Sequence, residues 1–204
     1  MEFRHLAEIA ARQHGIVTIA DCRMCGIPDR TVQRWANDGR LIRPHDGVFQ
    51  IAGAPDSVEA GIYAAIRAAG DGAAASHRAA AYLWGLSEDV PIPEITVPYE
   101  RAVVLDGVAV HRSRDLDGAR LSIRRAILVT DPMRTLIDCG AVVGRGAVED
   151  MLDTGLARQL FSHAAMECAY PKVARPDRHG SGTLRRILDT RALGAARADS
   201  LLEP

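Results

Sequence analysis

Aromatic residues make up only 4% of this 204-residue chain, so its core has to be built from Ala, Leu, Ile and Val. No stretch approaches the roughly 18 uncharged apolar residues that a membrane span requires. The N-terminal MEFRHLAEIAARQHG carries Glu2, Arg4, Glu8 and Arg12, which excludes the apolar stretch of a secretion signal; the expectation is a cytoplasmic chain with no membrane partner. Lysine is almost missing. Of the 25 basic residues only Lys172 is a lysine, a bias that a GC-rich genome explains better than selection for bidentate phosphate contacts, so arginine count alone decides nothing. The net charge of −1 excludes binding to nucleic acid through bulk basicity but leaves room for a local basic face. With 48% apolar and 25% charged residues the composition is that of a folded chain, long enough for one large domain or two small ones.

Catalytic signatures are also missing. The chain has no G-x-x-x-x-G-K-[ST], no G-x-G-x-x-G, no G-x-S-x-G and no H-E-x-x-H. A restriction-type nuclease needs an acidic residue two positions before a lysine, and Tyr170 occupies that place before Lys172. Nucleotidyl transfer needs a Gly-Ser turn ahead of paired aspartates that hold two metal ions. Here the only D-x-D, Asp115-Leu116-Asp117, precedes Gly180-Ser181. Glu149, Asp150 and Asp153 read as a solvated helix face. Cys22, Cys25, Cys139 and Cys168 include one CxxC pair, but a structural zinc site wants four ligands. Cys22 and Cys25 are expected as buried thiols, with no metal, no cofactor and no enzyme activity.

What is present begins with residues 1–53. Phe3, Leu6, Ile9 and Ala10 repeat at helical spacing before Gly15. Thr18 can cap a helix over 19–25, and Gly26-Ile27-Pro28 breaks it. Asp29 can cap a third helix to about Asn37, and two short β-type runs around Pro44–Gly47 read as a hairpin. This order predicts a winged helix–turn–helix. On the third helix Val32, Trp35 and Ala36 share one face, while Arg30, Gln33, Arg34 and Asn37 share the other. Arg, Gln and Asn are the side chains that pair bidentately with guanine and adenine edges in the major groove. Arg30, Thr31, Gln33, Arg34 and Asn37 are therefore the expected DNA-reading residues, with Arg40, Arg43 and His45 on the backbone or minor groove.

Ala52-Gly53-Ala54-Pro55 predicts a boundary. Beyond it, residues 56–204 read as a mixed α/β domain without repeats, so the fold class expected for the whole chain is α+β. Asp56 with Glu59 in capping-box position opens a helix to Ala69, and SHRAAAYLWG (76–85) gives another. Strands are expected at Glu94–Val97, Val103–Leu105, Val108–Arg112 and Ile127–Val129, with Asp106-Gly107 as a hairpin turn. Asp131-Pro132 opens a helix closed by Gly140; helices near 146–157, 162–169 and 181–190 follow. The tail from about 191 has no evident partner and is expected to be frayed. His77 and Arg78 beside Ser76, and His111, Arg112, Ser113 and Arg114 at a strand end, are the polar groups that stand out in this half.

The words GIVTIADCRMCGIPDRTVQRWANDGRLIRPHDGVFQIAGAP (15–55), SHRAAAYLWGL (76–86), EITVP (94–98), GVAVHRSRDL (107–116), ILVTDPMRTLIDC (127–139) and HGSGTLRRILD (179–189) resemble, in order, the AbiEi family of type IV toxin–antitoxin antitoxins in its actinobacterial form. The resemblance implies an N-terminal winged helix that binds inverted repeats in double-stranded DNA of its own promoter as an autorepressor. It also implies a C-terminal domain that neutralises a nucleotidyltransferase toxin, with His77, Arg78, His111, Arg112 and Arg114 as the candidate antitoxin surface. A monomer or weak dimer pairing on DNA is expected. Longer relatives continue past a segment like ADSLLEP into a Vsr-like endonuclease domain; the alternative is thus a remnant or accessory of a restriction or repair nuclease.

Overall fold

In a computed structural model of the chain, the described residues are 2–116, 121–162, 164–166, 170–171, 174 and 180–202. Those of the first half form α1 (Glu2–Arg12), β1 (Ile16–Thr18), α2 (Ile19–Met24), α3 (Asp29–Asn37), β2 (Leu41–His45) and β3 (Val48–Ile51). The expected three helices and hairpin are present, and β1 adds a third strand: the antiparallel sheet runs β1-β3-β2, with Val17 opposite Phe49. Thr18 caps α2 through a complete capping box with Asp21. Asp29, expected to cap α3, does not. Pro28 takes the N-cap position, and the Asp29 carboxylate instead binds Arg23 on α2 at 2.6 and 2.9 Å. Leu6, Val17, Cys22, Ile27, Val32, Trp35, Leu41 and Phe49 close one core.

The second half contains α4 (Val58–Ala69), β4 (Ala74–Ala75), α5 (His77–Trp84), β5 (Glu94–Pro98), β6 (Ala109–Ser113), β7 (Leu121–Arg124), β8 (Ile127–Thr130), α6 (Pro132–Cys139), α7 (Arg145–Ala157) and α8 (Ser181–Leu202). Helices and sheets are thus mixed along the chain, consistent with an α+β class. The five-stranded sheet runs β6-β5-β4-β8-β7, parallel at β5–β6 and β4–β8 and antiparallel elsewhere. α4 and one face of α5 cover it with Ile62, Ala65, Ile66, Ala79, Ala80 and Leu83 against Ile95, Val97, Ile127 and Val129. Ala81, on another face of α5, joins Leu136, Ile137, Leu152, Leu184 and Ile187 from α6, α7 and α8 in a separate core. The run Ala79-Ala80-Ala81 is what allows this, because a helix without side-chain bulk can lie close to a sheet and a helix at once. α8 runs through the segment that the sequence leaves without a partner.

Three local expectations fail here. Ser57, not Asp56, caps α4 by accepting from the Ala60 amide, and Glu59 pairs with Arg125. Val103–Leu105 is not a strand, and Asp106-Gly107 does not join a hairpin: β6 pairs in parallel with β5, Glu94 opposite Ala109. The hairpin lies instead at β7–β8, whose two turn residues, Arg125 and Ala126, have φ of 49° and 62°. A two-residue turn of this hand favours Asn-Gly, which is absent at this point in the chain.

The two halves meet closely. Ile16 and Val48 of the first bury themselves against Ala60 and Ala64 of α4. His14 Nε2 lies 2.7 Å from the Arg125 carbonyl oxygen, in the β7–β8 turn. The Arg125 guanidinium is itself bonded to Glu59 on α4.

Candidate functional site

α3 buries Val32 and Trp35 and turns Arg30, Gln33, Arg34 and Asn37 outward, all four exposed. Thr31 is half-buried at its flank. Arg40 and Arg43 are exposed just beyond the helix. Arg43 donates to Gln33 Oε1 and lies over the Phe49 ring at 5.3 Å, so β2 is tied to α3 at the polar face. His45 is half-buried: burial depresses its pKa against the opposing pull of Asp106, which comes from the second half. Arg23–Asp29 braces α2 against α3.

A second polar cluster lies in the other half, where α5 starts. Among the residues picked out from sequence, His77 is buried beneath the surface, Arg78, Arg112 and Arg114 are exposed, and His111 is half-buried. The structure brings His77, Arg78 and His111 together but sends Arg112 and Arg114 elsewhere, over the Tyr99 ring at 5.0 and 4.3 Å. The group joining the three is Glu94, the fully buried first residue of β5. Its Oε2 accepts from the Arg78 amide at 3.1 Å and from Arg78 Nε at 2.9 Å, and its Oε1 lies 2.8 Å from His111 Nε2. The His77 and His111 rings stack with centroids 3.7 Å apart. Ser76 Oγ lies 2.9 Å from His77 Nδ1 and accepts from Thr96 Oγ1 at 2.8 Å. His77 has φ of 50°, a backbone region that L residues other than Asn, Asp and His rarely enter.

Next to this cluster Arg134, also buried, spans two carboxylates. Its Nε donates to both oxygens of Asp138 at 2.8 and 2.7 Å, and Nη1 reaches Asp115 at 3.3 Å. Its Nη2 donates to Ser113 Oγ at 3.2 Å. Sequence reasoning missed Glu94, Arg134 and Asp138. Glu94 sits at the head of a strand otherwise read as core, and a buried carboxylate shows itself only through partners far along the chain. The one available hint was a charged residue opening the apolar run Ile95–Val97.

Burial first, then the positive charges of His111, Arg134 and Arg78, push His77 down to about 3 against the pull of Glu94. Burial alone would raise Glu94, but hydrogen bonds from His111 and Arg78 outweigh it and hold the carboxyl at about 2. Both folded values lie below the ordinary ones, 6.5 and 4.5. The resulting stability is present at neutral pH and lost on acidification, for His77 from about pH 6.5 to 3 and for Glu94 from about 4.5 to 2. Each proton taken up on unfolding contributes a slope of about 1.4 kcal/mol per pH unit. Urea unfolding of the wild type should therefore shift to lower midpoints between pH 7 and pH 4.5, and His77→Gln should flatten the upper part of that decline. Equal midpoints for the wild type at pH 7 and pH 5 would refute the buried neutral imidazole.

Cys22 is buried and Cys25, the C-cap of α2, packs against the same core; burial pushes the Cys22 thiol up to about 11. Cys139 is buried, while Cys168 and Asp117 lie outside the described residues. Glu149 accepts from Arg145, and Asp153 pairs with Arg191 on α8. Among the described residues no helix is long and apolar enough to cross a membrane.

Compared with known proteins, the chain matches no curated protein. Among solved structures it is similar to the crystal structure of the RV2827C protein from Mycobacterium tuberculosis, at 17% identity over 85% of this chain and 81% of that one, with a TM-score of 0.47. The family model described as "Transcriptional regulator, AbiEi antitoxin" matches residues 4–52, which run from α1 to just past β3 and include the whole of the polar face on α3. The first quarter of the chain is therefore similar to the AbiEi antitoxin transcriptional regulators.

Proposed function

We propose that residues 1–53 form a winged helix–turn–helix that reads inverted repeats in the promoter of its own operon, and that the chain is an autorepressor and type IV antitoxin opposing a nucleotidyltransferase toxin. One observation carries the reading: Arg30, Gln33, Arg34 and Asn37 are all exposed on the face of α3 opposite buried Val32 and Trp35. The match of residues 4–52 to AbiEi antitoxin regulators supports it. In this reading α3 lies in the major groove, Arg30 and Arg34 take guanine edges, and Asn37 takes an adenine edge. Arg43 holds the Gln33 carbonyl oxygen, so Gln33 offers a base its amide N–H groups. Arg40 and Arg43 meet phosphates, while half-buried His45 contributes least. The first 53 residues carry seven arginines against six acidic side chains, so placement rather than total charge supplies the affinity. One such unit makes a small interface, so two copies on paired half-sites are required for tight binding.

The test uses the full chain and a promoter fragment, read by fluorescence anisotropy across a salt series. Arg34→Ala should cost about 1–3 kcal/mol and relax sequence preference. Arg40→Ala should weaken all sequences alike and flatten the salt slope by about one unit. An Arg34→Ala protein that binds as tightly and as selectively as wild type would overturn the assignment of α3. The antitoxin half is checked by growth on co-expression with the toxin. Rescue by wild type and by Arg34→Ala alike would show that neutralisation does not pass through promoter binding.

A further inference from the structure

We propose that His77, Glu94 and His111 form a binding site for one divalent transition-metal ion of the zinc type. One ligand atom from each lies within 4.8 Å of the other two, and the three come from α5, β5 and β6, so the fold itself assembles the set. Two imidazoles with one carboxylate suit zinc, iron(II) or cobalt(II) far better than magnesium or calcium, and three protein ligands leave a coordination position open. The inference does not depend on the operator reading.

The geometry is part-way to a first coordination sphere. Tetrahedral ligand atoms around an ion at about 2.0–2.2 Å sit roughly 3.3–3.6 Å apart, so the His111–Glu94 pair opens by less than about 1 Å to admit one. His111 Nε2 and Glu94 Oε1 already lie 2.8 Å apart, and an ion between them replaces the proton they share. His77 closes the remaining distance by turning its ring out of the stack with His111. The outer groups fit a metal site as well. Arg78 holds Glu94 Oε2 through its amide and Nε, which fixes the carboxylate with Oε1 toward His111. Ser76, positioned by Thr96, occupies His77 Nδ1 and leaves Nε2 as the nitrogen without a hydrogen bond among the described residues. A ring nitrogen held by such a partner is the usual orienting device for a metal-bound histidine. His111 is half-buried, so the cluster is reachable from solvent on its side.

The experiment adds zinc(II), or cobalt(II) as an optical probe, to the full-length protein after chelator treatment. One equivalent should bind, cobalt(II) should develop visible absorption, and the ring proton resonances of His77 and His111 should both shift. His77→Ala and His111→Gln should each weaken binding by at least about tenfold, and Ser76→Ala by about 10–100-fold as an orienting partner. Circular dichroism shows whether each variant folds, and the wild-type ring shifts decide the matter if one does not. Cys22→Ser/Cys25→Ser should bind as wild type does. The proposal is overturned if the wild type binds neither ion at micromolar concentration. It is equally overturned if binding survives in folded His77→Ala and His111→Gln, or disappears in the cysteine variant.

Discussion

Arg134→Met should destabilise the protein by about 3–5 kcal/mol, measured by urea unfolding at pH 7, because it removes a buried cation from between two carboxylates. Only 6% of the Arg134 side chain is exposed, and 4% of that of Asp138. Arg134 joins α6 to Asp115 and Ser113 at the end of β6, so one side chain closes the gap between the helical core and the sheet edge. Methionine keeps the length and apolar stem of arginine but offers Asp138 and Asp115 no charge and no hydrogen. Asp138 then loses both bonds from Arg134 Nε while it stays buried, and that loss is the large term. A loss below about 1 kcal/mol would show that solvent reaches these groups and that the pair acts as a surface ion pair. Arg134→Met/Asp138→Leu should recover much of the loss, since removing both charges removes the mismatch.

Phe49→Ala should cost about 3–5 kcal/mol and, on the function proposed above, abolish promoter binding at the same time. Phe49 is the largest fully buried side chain of the chain's described residues and stands at the centre of β3, the middle strand of its sheet. It packs with Val17, Val32, Trp35 and Leu41, and its ring carries Arg43, which is tied to Gln33. Truncation therefore leaves a cavity under α3 and releases the arginine that links β2 to the polar face of α3. The neighbouring residue Val48 packs against Ala60 and Ala64 of α4, so the loss should spread across the seam between the halves. Calorimetry reads this as a lowered transition in both halves; an unfolding step confined to the first would show that the seam contributes little.

Much of the first half was legible because its signals are local. Thr18 with Asp21, the Gly26-Ile27-Pro28 break and the opposed faces of α3 each lie within one or two turns of chain, where periodicity and capping act directly. In the second half the capping of α6 by Asp131 with Pro132 at its start, and the close of α5 at Gly85 with φ of 69°, were legible for the same reason. Asp29 shows the limit even there: its residue type suits a cap, but a well-placed Arg23 offered the carboxylate a charged partner.

What only the tertiary structure decided is everything that depends on which distant segments meet. Ala74-Ala75 makes a central strand that alanine's weak β preference conceals, because it is enclosed by β5 and β8 on both sides. Asp106-Gly107 has the chemistry of a hairpin turn, yet parallel pairing with β5 claimed β6, since five paired residues there outweigh one favourable turn. The polar cluster followed the same rule. Ser76-His77-Arg78 and His111 were visible as unusual residues, but their chemistry depends on Glu94, brought to them from 16 to 18 positions away in the chain. A carboxylate in water is an ordinary solvated group; buried among an arginine and two histidines it becomes the centre of a site. Sequence by itself determined which residues form the exposed polar face of α3 and where most helices lie. Burial, which follows from long-range packing alone, decided which charged groups had to find one another.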